Sequence, residues 1–405
     1  MAKIITAESK INELLDRGVE KIYPSREELK KKLMSGKQLR IYCGYDPSAN
    51  SLHIGNAITI NKLAQFRELG HEVIFLIGDF TGMIGDPDKM TVRKKMTRME
   101  VLGNAKNFKK QASAYLSFSG SNPAQVKYNS KWLDKTTFLD LIELAANFTV
   151  QQMIIRDMFQ ERMKQDKPIY LHEFLYPLAQ AYDSVMLDVD VEVGGNDQMF
   201  NMMCGRDLQR IINNKDKIVL TMKLLADEQG NKMGKTEGNA LFLNRTPEDM
   251  YGIIMSWSDN VIGPGFELCT KLPLAEVNKI KEDLKKGENP RDAKMKLAYE
   301  ITKLVYGDAK AKTAQEKFIK TFQKKEIPDE LEIIKLKVES MNIIDLLDKT
   351  GLVASKSEAK RLIAEKAIKI DSEIINDISK EIKITSQGFV LQRGKKQFKK
   401  IVRAL

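Results

Sequence analysis

At 405 residues the chain has room for two or three domains of ordinary size. Its 42% hydrophobic and 30% charged residues support folded cores, and no apolar run reaches the roughly 18 residues of a spanning helix, which excludes an α-helical membrane protein. Three scattered cysteines (Cys43, Cys204, Cys269) without a C-x-x-C pair argue against a disulfide framework, and a start without a signal-peptide pattern predicts a soluble cytoplasmic protein. The net charge of +11 is unevenly placed. From Asn342 to Leu405 there are 14 Lys/Arg against 8 Asp/Glu, interleaved with apolar residues, which predicts a folded basic module suited to a polyanion.

Residues 1–38 read as helical, with Ile11, Leu14, Leu15 and Val19 on one face and a second helix over Ser25–Leu33 opened by an S-x-x-E cap. The stretch Ile41–Thr59 then runs strand, turn, helix. Its strand breaks at Gly44 and at Asp46-Pro47, and Ser51 is the expected N-cap of a helix whose first turn holds His53, Ile54, Gly55 and Asn56. A strand feeding a helix N-terminus is suited to negative charge, because the first N–H groups lack partners and the helix dipole is positive there. A helix over Ala57–Leu69, a buried strand over Glu72–Ile77 and a Gly-rich turn (Gly78 to Pro87) complete a β-α-β unit, whose ligand sites are expected at the carboxyl ends of its strands.

The basic run 89–99 follows, and one of Lys89, Arg93 and Lys94 is a candidate phosphate contact. Residues 101–165 read as mainly helical, with a strand near Val126–Tyr128 and helices over Phe138–Leu144 and Thr149–Met163. The helix Phe174–Ser184 carries Tyr176, Gln180 and Asp183 at i, i+4 and i+7, a polar stripe among apolar residues that could hold a small polar ligand. A strand over Leu187–Val193 ends at Gly194-Gly195-Asn196-Asp197-Gln198, and another candidate covers Lys217–Met222.

Asp227–Asn239 is a Gly-rich loop holding Lys232, Lys235 and Thr236, a candidate phosphate clamp. Helices are expected over Pro247–Ile254, Leu274–Lys286, Pro290–Val305 and Asp308–Phe322, then a linker over Lys325–Ser340. In 342–405 a helix capped by Ser355 presents Lys356, Lys360 and Arg361, followed by strands at Ala367–Ile370, Ile382–Ile384 and Phe389–Gln392. The predicted fold class is α/β: a Rossmann-like parallel-sheet catalytic domain over 1–225 with a helical insertion at about 100–170. A mobile Lys-rich loop and all-α domain follow over 226–330, then a small basic α+β domain over 342–405.

Two elements in order carry a resemblance. Leu52-His53-Ile54-Gly55-Asn56 is similar to the H-I-G-H/N element of class I aminoacyl-tRNA synthetases, and Lys232-Met233-Gly234-Lys235-Thr236 to their K-M-S-K-S element. Y-C-G-Y-D-P-S-A at 42–49, G-D-P at 85–87, Y-x-x-x-Q-A-Y-D at 176–183 and G-G-N-D-Q at 194–198 narrow it to the bacterial tyrosyl type; the resemblance implies that the all-α domain over 226–330 binds the anticodon, and the basic module over 342–405 resembles the small RNA-binding domain of those enzymes. The tryptophanyl enzymes, which share fold and motifs, are the nearest alternative. The resemblance implies two reactions: tyrosine and ATP give tyrosyl-adenylate and pyrophosphate, then tyrosine passes to the terminal adenosine of tRNA(Tyr). It implies that Tyr42 and Asp183 hold the phenol, and that Asp86, Tyr176, Gln180 and Gln198 hold the ammonium group or its orientation. Cys43, Gly44, Asp46, Gly55, Asn56, Thr59, Gly195, Asp197 and Lys235 would bind ATP, and Ser48, His53, Lys232, Lys235 and Thr236 would meet the phosphates. Mg2+ is expected on the ATP phosphates rather than in a protein site, and a homodimer through the insertion is implied. Asn56, Ser48, Gly234 and Thr236 depart from the commoner motif residues, and Asp88-Lys89-Met90 from the usual small-residue turn.

Overall fold

The protein is described here by a computed structural model covering residues 3–87, 95–226, 233, 240–323, 331–371, 373–394 and 397–404. The chain divides into two compact units, residues 1–311 and 312–405. The first is built on a six-stranded sheet: β1 (Val19–Tyr23), β2 (Arg40–Tyr45), β3 (Glu72–Ile77), β4 (Gln125–Tyr128), β5 (Val191–Gly195) and β6 (Ile218–Met222). Its order is β1-β6-β5-β2-β3-β4. Strands β2 to β6 are mutually parallel, and β1 pairs antiparallel with β6 at the edge. Helices cover the parallel strands, so their central residues are apolar without alternation. Ile41, Ile74, Phe75, Val191 and Leu220 are all fully buried.

Strand β1 departs from the helical expectation for residues 1–38; the helices there are Glu8–Asp16 and Arg26–Met34. Val19, Ile22 and Tyr23 suit a strand, and Pro24 disfavours helical backbone in the residue before it. The expected helix 149–163 is two, Val150–Ile154 and Asp157–Lys164, broken where Arg156 takes ψ 132°. β5 starts at Val191 rather than Leu187, because the helix Leu171–Leu187 runs on until Asp188 closes it at φ 45°.

Helices Pro247–Met255, Ile262–Cys269, Leu274–Lys285, Pro290–Tyr306 and Asp308–Phe318 follow; the second of these was not expected. In the second unit the predicted linker contains a strand, Glu332–Leu336, parallel to Gln397–Arg403. The order of its five-stranded sheet places Phe389–Arg393 between Ile368–Ile370 and Gln397–Arg403. Helices Ile343–Lys349 and Lys356–Ala364 close its own core, which includes Leu346, Leu362, Ile363, Leu391 and Ile401. Ser355 caps the second helix through the Glu358 N–H, and Lys356, Lys360 and Arg361 are exposed.

Candidate active site

The sheet order puts β2 between β3 and β5, so the chain leaves β2 in opposite directions and a crevice opens at the carboxyl ends. Side-chain alternation along β2 divides that crevice. Tyr42 lies on the face covered by the helix Leu171–Leu187, its hydroxyl 2.9 Å from Ser184 Oγ. Cys43 and Tyr45 lie on the other face, under the helix Ile54–Glu68, where the Tyr45 and Thr59 hydroxyls are 3.1 Å apart. Burial pushes the Cys43 thiol up to about 12.

The second face leads to a helix N-terminus. His53, not Ser51, is the N-cap: its Nδ1 accepts the Gly55 N–H at 3.1 Å, while Asn56 Oδ1 accepts the His53 N–H at 3.0 Å. Ser51 instead donates to the Leu52 carbonyl. The ring folds back so closely that a Cβ on Gly55 would lie 2.9 Å from His53 Cε1, so the glycine is a steric requirement. Leu52–Ile54 is joined by backbone hydrogen bonds to Leu241–Leu243: Ile54 donates to the Leu241 carbonyl at 2.8 Å and Leu243 to that of Leu52 at 2.9 Å. The segment that follows the Gly-rich loop is thus tied to the helix start. Met233 is buried, and its carbonyl oxygen would lie 3.8 Å from a Cβ on Gly55. Lys232, Lys235 and Thr236, like Lys89, Arg93 and Lys94, lie outside the described residues. Gly44 lies near the end of β2, and Asp46 and Ser48 sit in the turn after it, where the Ser48 N–H donates to the Asp46 carbonyl at 2.8 Å. Gly195 is the last residue of β5, and Asp197, in the turn just beyond it, is exposed.

The first face is a buried polar web. Asp183 Oδ1 accepts from Trp132 Nε1 at 2.8 Å and Oδ2 from Asn129 Nδ2 at 3.2 Å. Burial pushes this carboxyl well above its usual range against the pull of those two donors, so a further donor from a ligand would be strongly favoured. Burial also raises the Tyr42 phenol, helped by the charges of Glu192 and Asp183. Asn129 Nδ2 also donates to Thr81 Oγ1 at 3.0 Å, and Thr81 donates to Asp46 Oδ1 at 2.7 Å. Asp46 Oδ2 accepts from Tyr176 at 2.8 Å. Nearby, Asp86 Oδ2 accepts from Gln198 Nε2 at 2.8 Å, and its Oδ1 lies 3.3 Å from Asn201 Nδ2 and 3.4 Å from an Arg156 nitrogen. Gln180 Nε2 donates to Glu192 Oε1 at 3.0 Å.

The structure therefore gathers Tyr42, Asp86, Tyr176, Gln180, Asp183 and Gln198 at one end of the crevice and His53, Gly55 and Asn56 at the other, with Asp46 and Ser48 in the turn that joins them. Residues the sequence reading missed are Thr81, Asn129, Trp132, Arg156, Ser184, Glu192, Asn201 and Lys217. Two had a legible signal: Glu192 is a carboxylate inside an otherwise apolar parallel strand, and Lys217 immediately precedes the next. Arg156 has no pattern of its own; its guanidinium stacks over the rings of Phe159 and Phe200, at 5.7 and 5.0 Å.

Comparison with known proteins gives a consistent answer. The family described as tRNA synthetases class I (W and Y) matches residues 34–323, and the tyrosine–tRNA ligase SYY-like C-terminal domain matches 323–401. The tyrosine–tRNA ligase of Thermotoga maritima is 44% identical over 380 residues, spanning 93% of this chain and 94% of its own. That of Haemophilus ducreyi is 43% identical over 389 residues, 96% of each. Among solved structures, a C-terminally truncated mitochondrial tyrosyl-tRNA synthetase of Aspergillus nidulans superposes with TM-score 0.68 at 25% identity, over 78% of this chain and 94% of that one.

Proposed function

The chain belongs to the class I tRNA synthetases of the tryptophan and tyrosine group, and from that membership we propose how its residues divide the work. The enzyme is a tyrosine–tRNA ligase: it activates tyrosine with ATP to tyrosyl-adenylate, then transfers the tyrosyl group to the terminal adenosine of tRNA. In the first step the substrate carboxylate attacks the α-phosphorus and the bond to pyrophosphate breaks. Charge accumulates on the leaving oxygens, so the protein's contribution is placement and charge stabilisation.

The buried web receives the amino acid. Tyr42 and Asp183 meet the phenol, and Asp86, Tyr176, Gln180 and Gln198 set the ammonium end. The observation that carries this reading is Asp183, a fully buried carboxylate with one donor already on each oxygen at the floor of the crevice. Phenylalanine would leave that carboxylate without the third donor its desolvation calls for. His53, Ser48, Lys232, Lys235 and Thr236 meet the phosphates, with Mg2+ carried on the ATP. Cys43, Gly44, Asp46, Gly55, Asn56, Thr59, Gly195 and Asp197 surround the nucleoside.

The helices of 247–323 and the basic second unit serve tRNA, whose phosphates suit the exposed Lys356, Lys360 and Arg361. A second copy of the chain covers the insertion. Phe138 (78% exposed), Val150 (70%) and Leu171 (82%) lie there, a concentration of large apolar side chains that a monomer would leave in water. The test is pyrophosphate exchange with tyrosine, tryptophan and phenylalanine in turn. Exchange with tyrosine alone is expected; exchange with tryptophan alone, or none with tyrosine, overturns the assignment.

A further inference from the structure

Behind the amino-acid end lies an ion pair that no expected role uses. Lys217 Nζ meets Glu192 Oε2 with both side chains buried, at 0% and 3% exposure. The same ammonium donates to Ser184 Oγ at 2.8 Å, and the Ser184 hydroxyl is 3.3 Å from Glu192 Oε2 and 2.9 Å from the Tyr42 hydroxyl. Glu192 Oε1 accepts the amide N–H of Gln180. The space is set aside for the pair: a Cβ on Gly205, in the helix Met199–Asn213, would stand 2.5 Å from Lys217 Nζ and 2.7 Å from Ser184 Oγ.

We propose that the Lys217–Glu192 pair fixes the hydrogen-bond polarity of the amino-acid pocket at both of its ends. The logic is one of donors and acceptors. An ammonium only donates, so Ser184 Oγ accepts from Lys217. Glu192 Oε2 is already taken by Lys217, so the Ser184 proton goes to its nearer neighbour, the Tyr42 oxygen at 2.9 Å rather than Glu192 at 3.3 Å. Tyr42 then points its own proton at the pocket and donates to the substrate phenol, whose proton goes to Asp183. At the other end the Glu192 carboxylate holds the NH2 of Gln180, so the amide presents its carbonyl to the ligand. A carbonyl welcomes an ammonium group; an NH2 repels it. Glu192, Lys217 and Ser184 are positioning residues that act through Tyr42 and Gln180 without touching substrate. The inference rests on the reading that those two residues face tyrosine.

Glu192→Gln tests it. The charged Lys217 keeps the new amide's oxygen, so the NH2 of the new side chain faces Gln180 and turns that amide over. Three measurements are informative: KM for tyrosine and for ATP in pyrophosphate exchange, and inhibition by tyramine and by 3-(4-hydroxyphenyl)propionate. Tyramine keeps the ammonium and the propionate lacks it. The expected result is a loss of about tenfold for tyrosine and tyramine, the size of one misdirected hydrogen bond, with ATP and the propionate unchanged. Equal losses for ATP and tyrosine, or for both inhibitors, would reduce the pair to a structural prop and overturn the proposal. Should Glu192→Gln not fold, Ser184→Ala asks the same question at the phenol end. A change in tyrosine-to-phenylalanine preference with constant KM for ATP supports the relay, and an unchanged preference overturns it. Gln180→Ala is the control on the underlying reading: if it leaves tyramine inhibition untouched, the assignment of Gln180 fails rather than the role of the pair.

Discussion

The two ends of the crevice are made by different means. The end proposed to meet the phosphates is contiguous in sequence and largely backbone: a helix N-terminus, an imidazole that caps it and a glycine that lets the ring fold back. The amino-acid end is assembled from four strands and two helices, by side chains up to 142 residues apart in the chain such as Tyr42 and Ser184. Each end also sits over a buried lysine. Lys217 faces a carboxylate, whereas Lys62, inside the helix that carries the phosphate end, donates to the Leu14 carbonyl and has Arg17 for a charged neighbour. The same residue type is thus a paired charge in one region and a poorly compensated one in the other, and the two should respond to mutation with opposite signs.

The largest effect is expected at Lys217. Removing one partner of a buried pair strands the other, so Lys217→Met should cost about 3–5 kcal/mol of stability. Both tryptophans of the chain, Trp132 and Trp257, lie in the first unit, so fluorescence-monitored urea unfolding reports on that unit. Adding Glu192→Leu to Lys217→Met removes the stranded charge and should recover most of the lost stability, while the KM for tyrosine stays raised. If stability and tyrosine KM recover together, the pair matters for folding alone.

The phosphate end should behave conversely. His53→Asn keeps a good helix cap but loses the imidazole. The expected outcome is a fall in kcat of adenylate formation of roughly 10²–10³-fold, the usual loss for one donor aimed at developing charge, with KM for tyrosine and unfolding midpoint nearly constant. A large rise in tyrosine KM would erase the division between the two ends.

That division also explains what the sequence disclosed. The geometry of the end proposed for the phosphates was legible because its parts are neighbours: a strand, a break, and His53, Gly55 and Asn56 at one helix start. Only the capping residue was misassigned, since Ser51 is a common N-cap and the imidazole an uncommon one. At the amino-acid end, Tyr176, Gln180 and Asp183 showed as a stripe on one helix, but what holds Asp183 did not. Asn129 and Trp132 belong to a turn after β4 with no periodicity of its own, and only the parallel pairing of β3 with β4 brings them to Asp183. Strand β1 was missed for a similar reason. Five residues at a sheet edge gain their structure from β6, some 200 residues later, and local propensity could not outweigh the flanking helices.

Lys62 gives the smallest effect and the one of opposite sign. Burial lowers it to about 7, with Arg17 adding to the shift and Glu13, Asp16 and Glu267 opposing it, against an ordinary value of 10.5. Between those two values the unfolded chain holds the proton more firmly than the folded one, so stability contributed by this site rises as the pH is raised from about 7 toward 10.5. At pH 7 and below, the folded protein carries the full cost of the buried charge, on the order of 5 kcal/mol at 1.4 kcal/mol per pH unit. Lys62→Met removes that cost but leaves the Leu14 carbonyl without its donor, a loss of about 1–3 kcal/mol. The net expectation is a gain of roughly 2–4 kcal/mol near neutral pH that shrinks as the pH is raised, read as the difference between wild-type and variant urea midpoints across that range. A variant destabilised at neutral pH, or a difference flat with pH, would mean that Lys62 is as well compensated as Lys217, and the contrast between the two buried lysines would fall.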